Sequence, residues 1–112
     1  MDINVRKRSE VEVIQLRGAL RLGNAVDDFR RTLDEAAAAG DVHIVLNMAE
    51  VPIVDSSGIG VLVKTLASLK QRGGTLKLVN PSRMTIQTLR IVGVLNLFDL
   101  FEDEDAAVAS FH

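Results

Sequence analysis

The chain has 112 residues, enough for one complete hydrophobic core and too few for two domains. A net charge of −2, with four Phe and no Trp or Tyr, offers neither general attraction for nucleic acid nor aromatic platforms for its bases. Cysteine is absent, which removes disulfides, thiolate nucleophiles and thiolate metal sites.

Ile3 and Val5 alternate with polar neighbours, as do Val11, Val13 and Leu16 beyond a polar Ser9-Glu10. This period of two on either side of a polar dipeptide predicts an opening β-hairpin. Arg6, Lys7 and Arg8 cluster beside the turn and read as a solvated hairpin rather than a binding surface. Gly18 ends the second strand, and a loop runs through Asn24. Val26, Phe29, Leu33 and Ala36 or Ala37 then recur at steps of three and four, the apolar face of a helix. Asp27 and Asp28 in its first turn suit the positive end of the helix dipole, and Gly40 stops it.

Val42 to Met48 is a compact apolar run, which predicts a strand buried on both faces. Gly58 to Arg72 is the clearest helix, with Ile59, Leu62, Val63, Leu66 and Leu69 on one side and Lys64, Ser68 and Gln71 elsewhere. Gly73-Gly74 closes it, and Thr75 to Val79 supplies another strand. Pro81 starts a third helix with Thr85, Leu89 and Val92 facing inward, ending at Gly93. Leu97 to Phe101 reads as a final short strand, and the acidic run Glu102 to Asp105 leads to a terminal helix carrying Ala107, Val108 and Phe111.

A hairpin followed by alternating helix and strand implies an α/β domain over residues 1–112. Its sheet is mixed but mostly parallel, with about five strands and about four flanking helices. The N-terminal MDINVRKRSE lacks the apolar centre of a signal peptide, and no apolar run is long enough to cross a membrane. The expected location is cytoplasmic, with no membrane contact.

Most chemistries lack their residues. The two histidines, His43 in the strongest strand and His112 at the last position, form no spaced ligand set, so neither a metal site nor a bound cofactor is expected. No G-x-S-x-G elbow is present, since Val54-Asp55 precedes Ser56 and Ser57. A magnesium-dependent receiver site needs clustered acids at strand ends, but the buried strand ends at Asn47-Met48 and only Asp55 lies at the next junction. Gly58-Ile59-Gly60 lacks the third glycine of a dinucleotide fingerprint. The chain is therefore not expected to be an enzyme.

What stands out is Asp55-Ser56-Ser57-Gly58-Ile59-Gly60, which joins an apolar stretch to the clearest helix. A structural account suffices for much of it: Asp55 or Ser56 caps the helix, and the glycines allow close packing on the sheet. The functional account is phosphorylation of a hydroxyl in the first turn, which adds roughly −1.5 to −2 charge beside Asp55. Chemistry alone leaves Ser56 and Ser57 equally placed.

At this junction the sequence resembles the STAS domain, and within it the bacterial anti-sigma factor antagonists. The resemblance spans nearly the whole chain. It includes Gly18-Ala19-Leu20, the run His43 to Asn47, Val54 to Gly60, Gly73 to Leu78, and Leu95 to Phe98. It implies a partner-switching role. The unmodified antagonist binds an anti-sigma factor that is also a serine kinase, phosphorylation separates the two, and a serine phosphatase restores binding. Carried onto this chain, the acceptor is Ser56, and Asp55, Ser57, Gly58 and Gly60 shape the docking site. One residue departs from the pattern: many antagonists have Gly-x-Leu-Asp after the hairpin, whereas this chain has Gly18-Ala19-Leu20-Arg21. If that loop faces the motif, Arg21 is placed to attract a phosphoserine or an acidic patch on a partner. The alternatives are a constitutive scaffold subunit of a stress-signalling or lipid-transport complex and, with no phosphate-cradling motif behind it, a small-ligand sensor.

Overall fold

Two antiparallel strands, β1 (Asp2–Arg8) and β2 (Val11–Arg17), open the chain in the computed structural model, which describes residues 1–112. Ser9 and Glu10 join them with φ of 49° and 67°. A two-residue turn with both centres left-handed matches the twist of the strands it connects, and it costs side chains other than glycine about 1–2 kcal/mol each. Because neither residue is Gly or Asn, the hairpin is legible from strand alternation rather than from the turn.

After β2 come α1 (Asn24–Ala38), β3 (His43–Glu50), α2 (Ser56–Gln71), β4 (Thr75–Val79), α3 (Arg83–Val92), a 3-10 turn at Leu95–Leu97, β5 (Asp99–Phe101) and α4 (Glu104–Ala109). The strands lie in the order β1-β2-β3-β4-β5, and every pairing after the first is parallel. Val13 pairs with Val45, Leu46 with Leu78, and Val79 with Phe101.

Successive residues of a strand point to opposite faces, so the two faces are built from interleaved positions. On one face Ile14, Leu16, Ile44, Leu46, Leu76 and Leu78 pack under α1, α2 and α3, which contribute Phe29, Leu33, Leu62, Leu66 and Leu89. On the other, Val11, Val13, Val45 and Val79 pack under Ala107 and Val108 of α4. The unbroken apolar run in β3 follows directly, because both of its faces are covered.

Several elements differ from the sequence expectation for local reasons. α2 starts at Ser56, ahead of the expected Gly58, because the cap is Asp55. Of the three residues expected to face inward from α3, Thr85 and Leu89 are buried and Val92 is half exposed. The last strand shrinks to Asp99–Phe101, since Leu95–Leu97 winds as a 3-10 turn. Phe111 falls beyond the end of α4, with its ring 5.0 Å from that of His43 and 4.4 Å from Lys77 Nζ. Buried Lys77 also donates to Ser110 Oγ at 2.7 Å, so its charge is not left bare. The Arg6-Lys7-Arg8 cluster is not simply solvated. Arg6 and Arg8 hold Glu104 at 2.8 and 2.6 Å, and Lys7 holds Asp41 at 2.6 Å.

Candidate functional site at the start of α2

The segment between β3 and α2 is fastened to the loop after β2. Leu20 forms an isolated parallel bridge with Val54. Its N–H donates to Ile53 O at 2.9 Å, and its carbonyl accepts from the Asp55 N–H at 3.0 Å. Leu20 and Val54 are both buried, whereas Leu22, two residues on in the same loop, is exposed.

Asp55 is the N-cap of α2, with extended φ −84° and ψ 179°. Its Oδ1 accepts from the Gly58 N–H at 3.0 Å and from the Ser57 hydroxyl at 2.5 Å. Its Oδ2 accepts from the Leu22 N–H at 2.8 Å. The Ser57 hydroxyl first, and then the Leu22 N–H, hold the carboxyl below its ordinary pKa against a smaller opposing push from burial. One ionised side chain thus closes the helix start, fixes a neighbouring hydroxyl and ties down the loop.

The two serines, equivalent in the sequence, have different surroundings. Ser57 is half-buried and its hydroxyl is committed to Asp55. Ser56 is exposed, and no side-chain hydrogen bond engages its hydroxyl. The two glycines also differ. Gly58 is buried against Val54 and Leu20, whereas a β-carbon on Gly60 would meet nothing within 4 Å. Gly60 lies four residues after Ser56, on the same side of the helix and likewise exposed. The start of α3 adjoins this end of the molecule, because Ser82 donates from Oγ to Pro52 O at 3.0 Å while capping the Thr85 N–H at 3.0 Å.

Asp55, Ser56, Ser57, Gly58 and Gly60 therefore lie together at one end of the sheet, and the Arg21 loop faces them. Arg21 is exposed and takes part in no ion pair. Sequence reasoning missed the backbone role of Leu22 and the contact between Ser82 and Pro52. The only available signal was Ser82 itself, a capping residue just after Pro81. His43 begins β3 and the junction follows its end, a separation of at least about 23 Å along the strand. The His112 ring rests on Ser9 O at 2.9 Å, at the hairpin turn. Neither imidazole reaches Ser56, so no side-chain base accompanies this hydroxyl. No three His, Asp or Glu side chains converge as a cation site, and no helix is long and apolar enough to cross a membrane.

The sequence and the fold have counterparts among known proteins. The anti-sigma-B factor antagonist of Bacillus subtilis (strain 168) is 30% identical over 110 residues, covering 96% of this chain and 99% of that protein. The Bacillus cell fate determinant SpoIIAA, solved in its phosphorylated form, superposes with a TM-score of 0.79 at 25% identity, over 99% of this chain and all of that one. An anti-sigma factor antagonist from Mycobacterium paratuberculosis shares the fold with a TM-score of 0.85 at 19% identity, over 97% of this chain and 92% of the other. The sequence profile of the STAS domain matches residues 2–107. With the hairpin, the parallel crossovers and the capped serine junction all in place, the chain belongs to the STAS domain family.

Proposed function

We propose that this chain, acting as a single domain, is an anti-sigma factor antagonist switched by phosphorylation of Ser56. In the unmodified state it binds an anti-sigma factor that is also a serine kinase. The kinase transfers the γ-phosphoryl group of ATP to Ser56 Oγ, and the partners separate. A serine phosphatase reverses the step. The chain is the substrate of this chemistry and not its catalyst, and the magnesium that accompanies ATP belongs to the kinase. A cytoplasmic location goes with partners of this kind.

The observation that carries this reading is the contrast between the two hydroxyls. Ser56 is exposed and unengaged, while Ser57 is held by Asp55. A phosphate on Ser56 displaces no bond of the fold, and the partial positive charge of a helix start tolerates it. A partner seated over Ser56 and open Gly60 meets roughly two added negative charges that it must desolvate. A penalty of about 3 kcal/mol weakens binding about a hundredfold.

The decisive experiment incubates the protein with Mg-ATP and the histidine-kinase-like ATPases encoded near it. One phosphate is expected by intact mass, located at Ser56 by peptide mass, retained in Ser57→Ala and lost in Ser56→Ala. Phosphate on Ser57, or none with any neighbouring kinase, overturns the assignment. Calorimetry with the cognate partner should show Ser56→Asp binding at least tenfold more weakly; unchanged affinity removes the switch.

A further inference from the structure

Arg21 lies between two residues that are both bonded to Asp55. The Leu20 carbonyl accepts from the Asp55 N–H at 3.0 Å, and the Leu22 N–H donates to Asp55 Oδ2 at 2.8 Å. The carbonyl of Arg21 itself accepts from the Val26 N–H at 3.3 Å, which ties the same loop to the first turn of α1. Arg21 and Ser56 are thus each a single Cα step of ~3.8 Å from directly bonded residues.

The charges around this point leave Arg21 without a partner. Arg6 and Arg8 are held by Glu104, Arg17 by Glu50, Arg30 by Asp27 and Arg31 by Asp28. Asp55 is the adjacent carboxylate, but its oxygens already accept from Leu22, Ser57 and Gly58. Lys64 follows Ser56 by two turns, about 12 Å along the helix axis and beyond a screening length of about 8 Å. Arg83 opens α3 beyond Ser82. In the unmodified protein, then, Arg21 is exposed and in no ion pair, on a loop bonded on either side of it to Asp55, the residue before Ser56.

We propose that Arg21 is the receptor for the phosphate on Ser56, forming a clamp between the Gly18–Gly23 loop and the start of α2 that exists only in the modified protein. This rests on Ser56 being the modified residue. The planar guanidinium fork matches two phosphate oxygens at once, which a lysine ammonium cannot do. Phosphorylation then has two effects on a docked partner: it adds charge at Ser56 and withdraws Arg21 from the docking face. The phosphatase must open the clamp before it can act.

The test installs phosphoserine at position 56 of the full chain by genetic encoding, so that no kinase is needed. Phosphorus NMR follows the second ionisation of the phosphate in the otherwise native protein, in Arg21→Ala, Arg21→Gln and Arg21→Lys, and in Arg83→Ala as a control. Asp55 raises the midpoint in all of them, so differences isolate the varied cation. The native midpoint is expected below those of Arg21→Ala and Arg21→Gln by at least about half a pH unit, with Arg21→Lys between. Arg83→Ala is expected to match the native protein. Equal midpoints in native, Arg21→Ala and Arg21→Gln overturn the clamp, as does a shift in Arg83→Ala as large as that in Arg21→Ala. Because the phosphate is supplied without an enzyme, this result and the kinase assay fail independently of one another.

Discussion

A β-carbon added to Gly58 would lie 2.7 Å from Val54 Cγ1, closer than two such carbons approach. Leu20 crowds the same point at 3.1 Å. Gly58→Ala must therefore push α2 off the sheet or move two buried side chains, at a cost of about 1–3 kcal/mol. The gain in helix propensity offsets only about 1 kcal/mol of this. A lower urea midpoint is expected. Gly60→Ala meets nothing and should be stabilising by about 0.5–1 kcal/mol. A lower midpoint for Gly60→Ala would contradict the open geometry there.

Asp55 holds the cap and the loop together, so Asp55→Ala should cost about 1–2 kcal/mol. Its folded pKa is lowered by the Ser57 hydroxyl and the Leu22 N–H. Its contribution is therefore complete above the ordinary Asp range and disappears as pH falls through the depressed folded value. Asp55→Asn keeps a capping oxygen and should flatten this acid limb in denaturation curves taken across pH. An Asp55→Asn profile parallel to that of the native protein would show that the carboxylate charge contributes nothing.

The serines should separate in stability as well as in modification. Removing the Ser57 hydroxyl takes a hydrogen bond from an ionised acceptor, and Ser57→Ala should lose about 1–2 kcal/mol. Ser56→Ala removes an exposed, unengaged group and should stay within about 0.5 kcal/mol of the native protein. Equal losses by thermal denaturation would mean that Ser56 helps to hold the helix start.

Two glutamates, Glu12 of β2 and Glu104 of α4, should respond to acid in opposite senses. Burial pushes Glu104 up, but hydrogen bonds from Arg6, Arg8 and Asn47 outweigh it, and its folded pKa is lowered. Glu104 thus stabilises above the ordinary Glu range, and the effect is lost as pH falls through the folded value. Glu104→Ala should cost about 1.5–3 kcal/mol near neutral pH. Glu12 is raised, first by burial and then by Asp41, with Lys7 opposing. Its ionised form burdens the fold above the raised value, and the burden lifts as pH falls through it. Glu12→Gln should raise the urea midpoint near pH 7, the advantage vanishing below the ordinary Glu range. A loss near pH 7 would show that the ion pair with Lys7 outweighs burial.

The sequence made some of this architecture plain and hid the rest for identifiable reasons. The helical spacing of Val26, Phe29 and Leu33 marks an element whose form is decided by which side meets the core. The unbroken run in β3 was readable because both faces are covered. The inward position assigned to Val92 was not, because Val92 is the last residue of α3, which buries only Thr85 and Leu89 and turns off at Gly93. Ser56 and Ser57 differ through contacts made by Asp55 and by a loop more than thirty residues away, which no local pattern records. Leu22 reaches the Asp55 carboxylate only through its backbone N–H, and a backbone donor leaves little trace in residue type.

The exposed oxygen of Ser56 has a consequence for how such a chain can change over time. Because none of the fastenings around Asp55 pass through it, mutation can adjust how tightly the domain is held without altering the message it carries, and the reverse. Robustness and signalling are written on neighbouring atoms of one short segment, yet they remain separately adjustable.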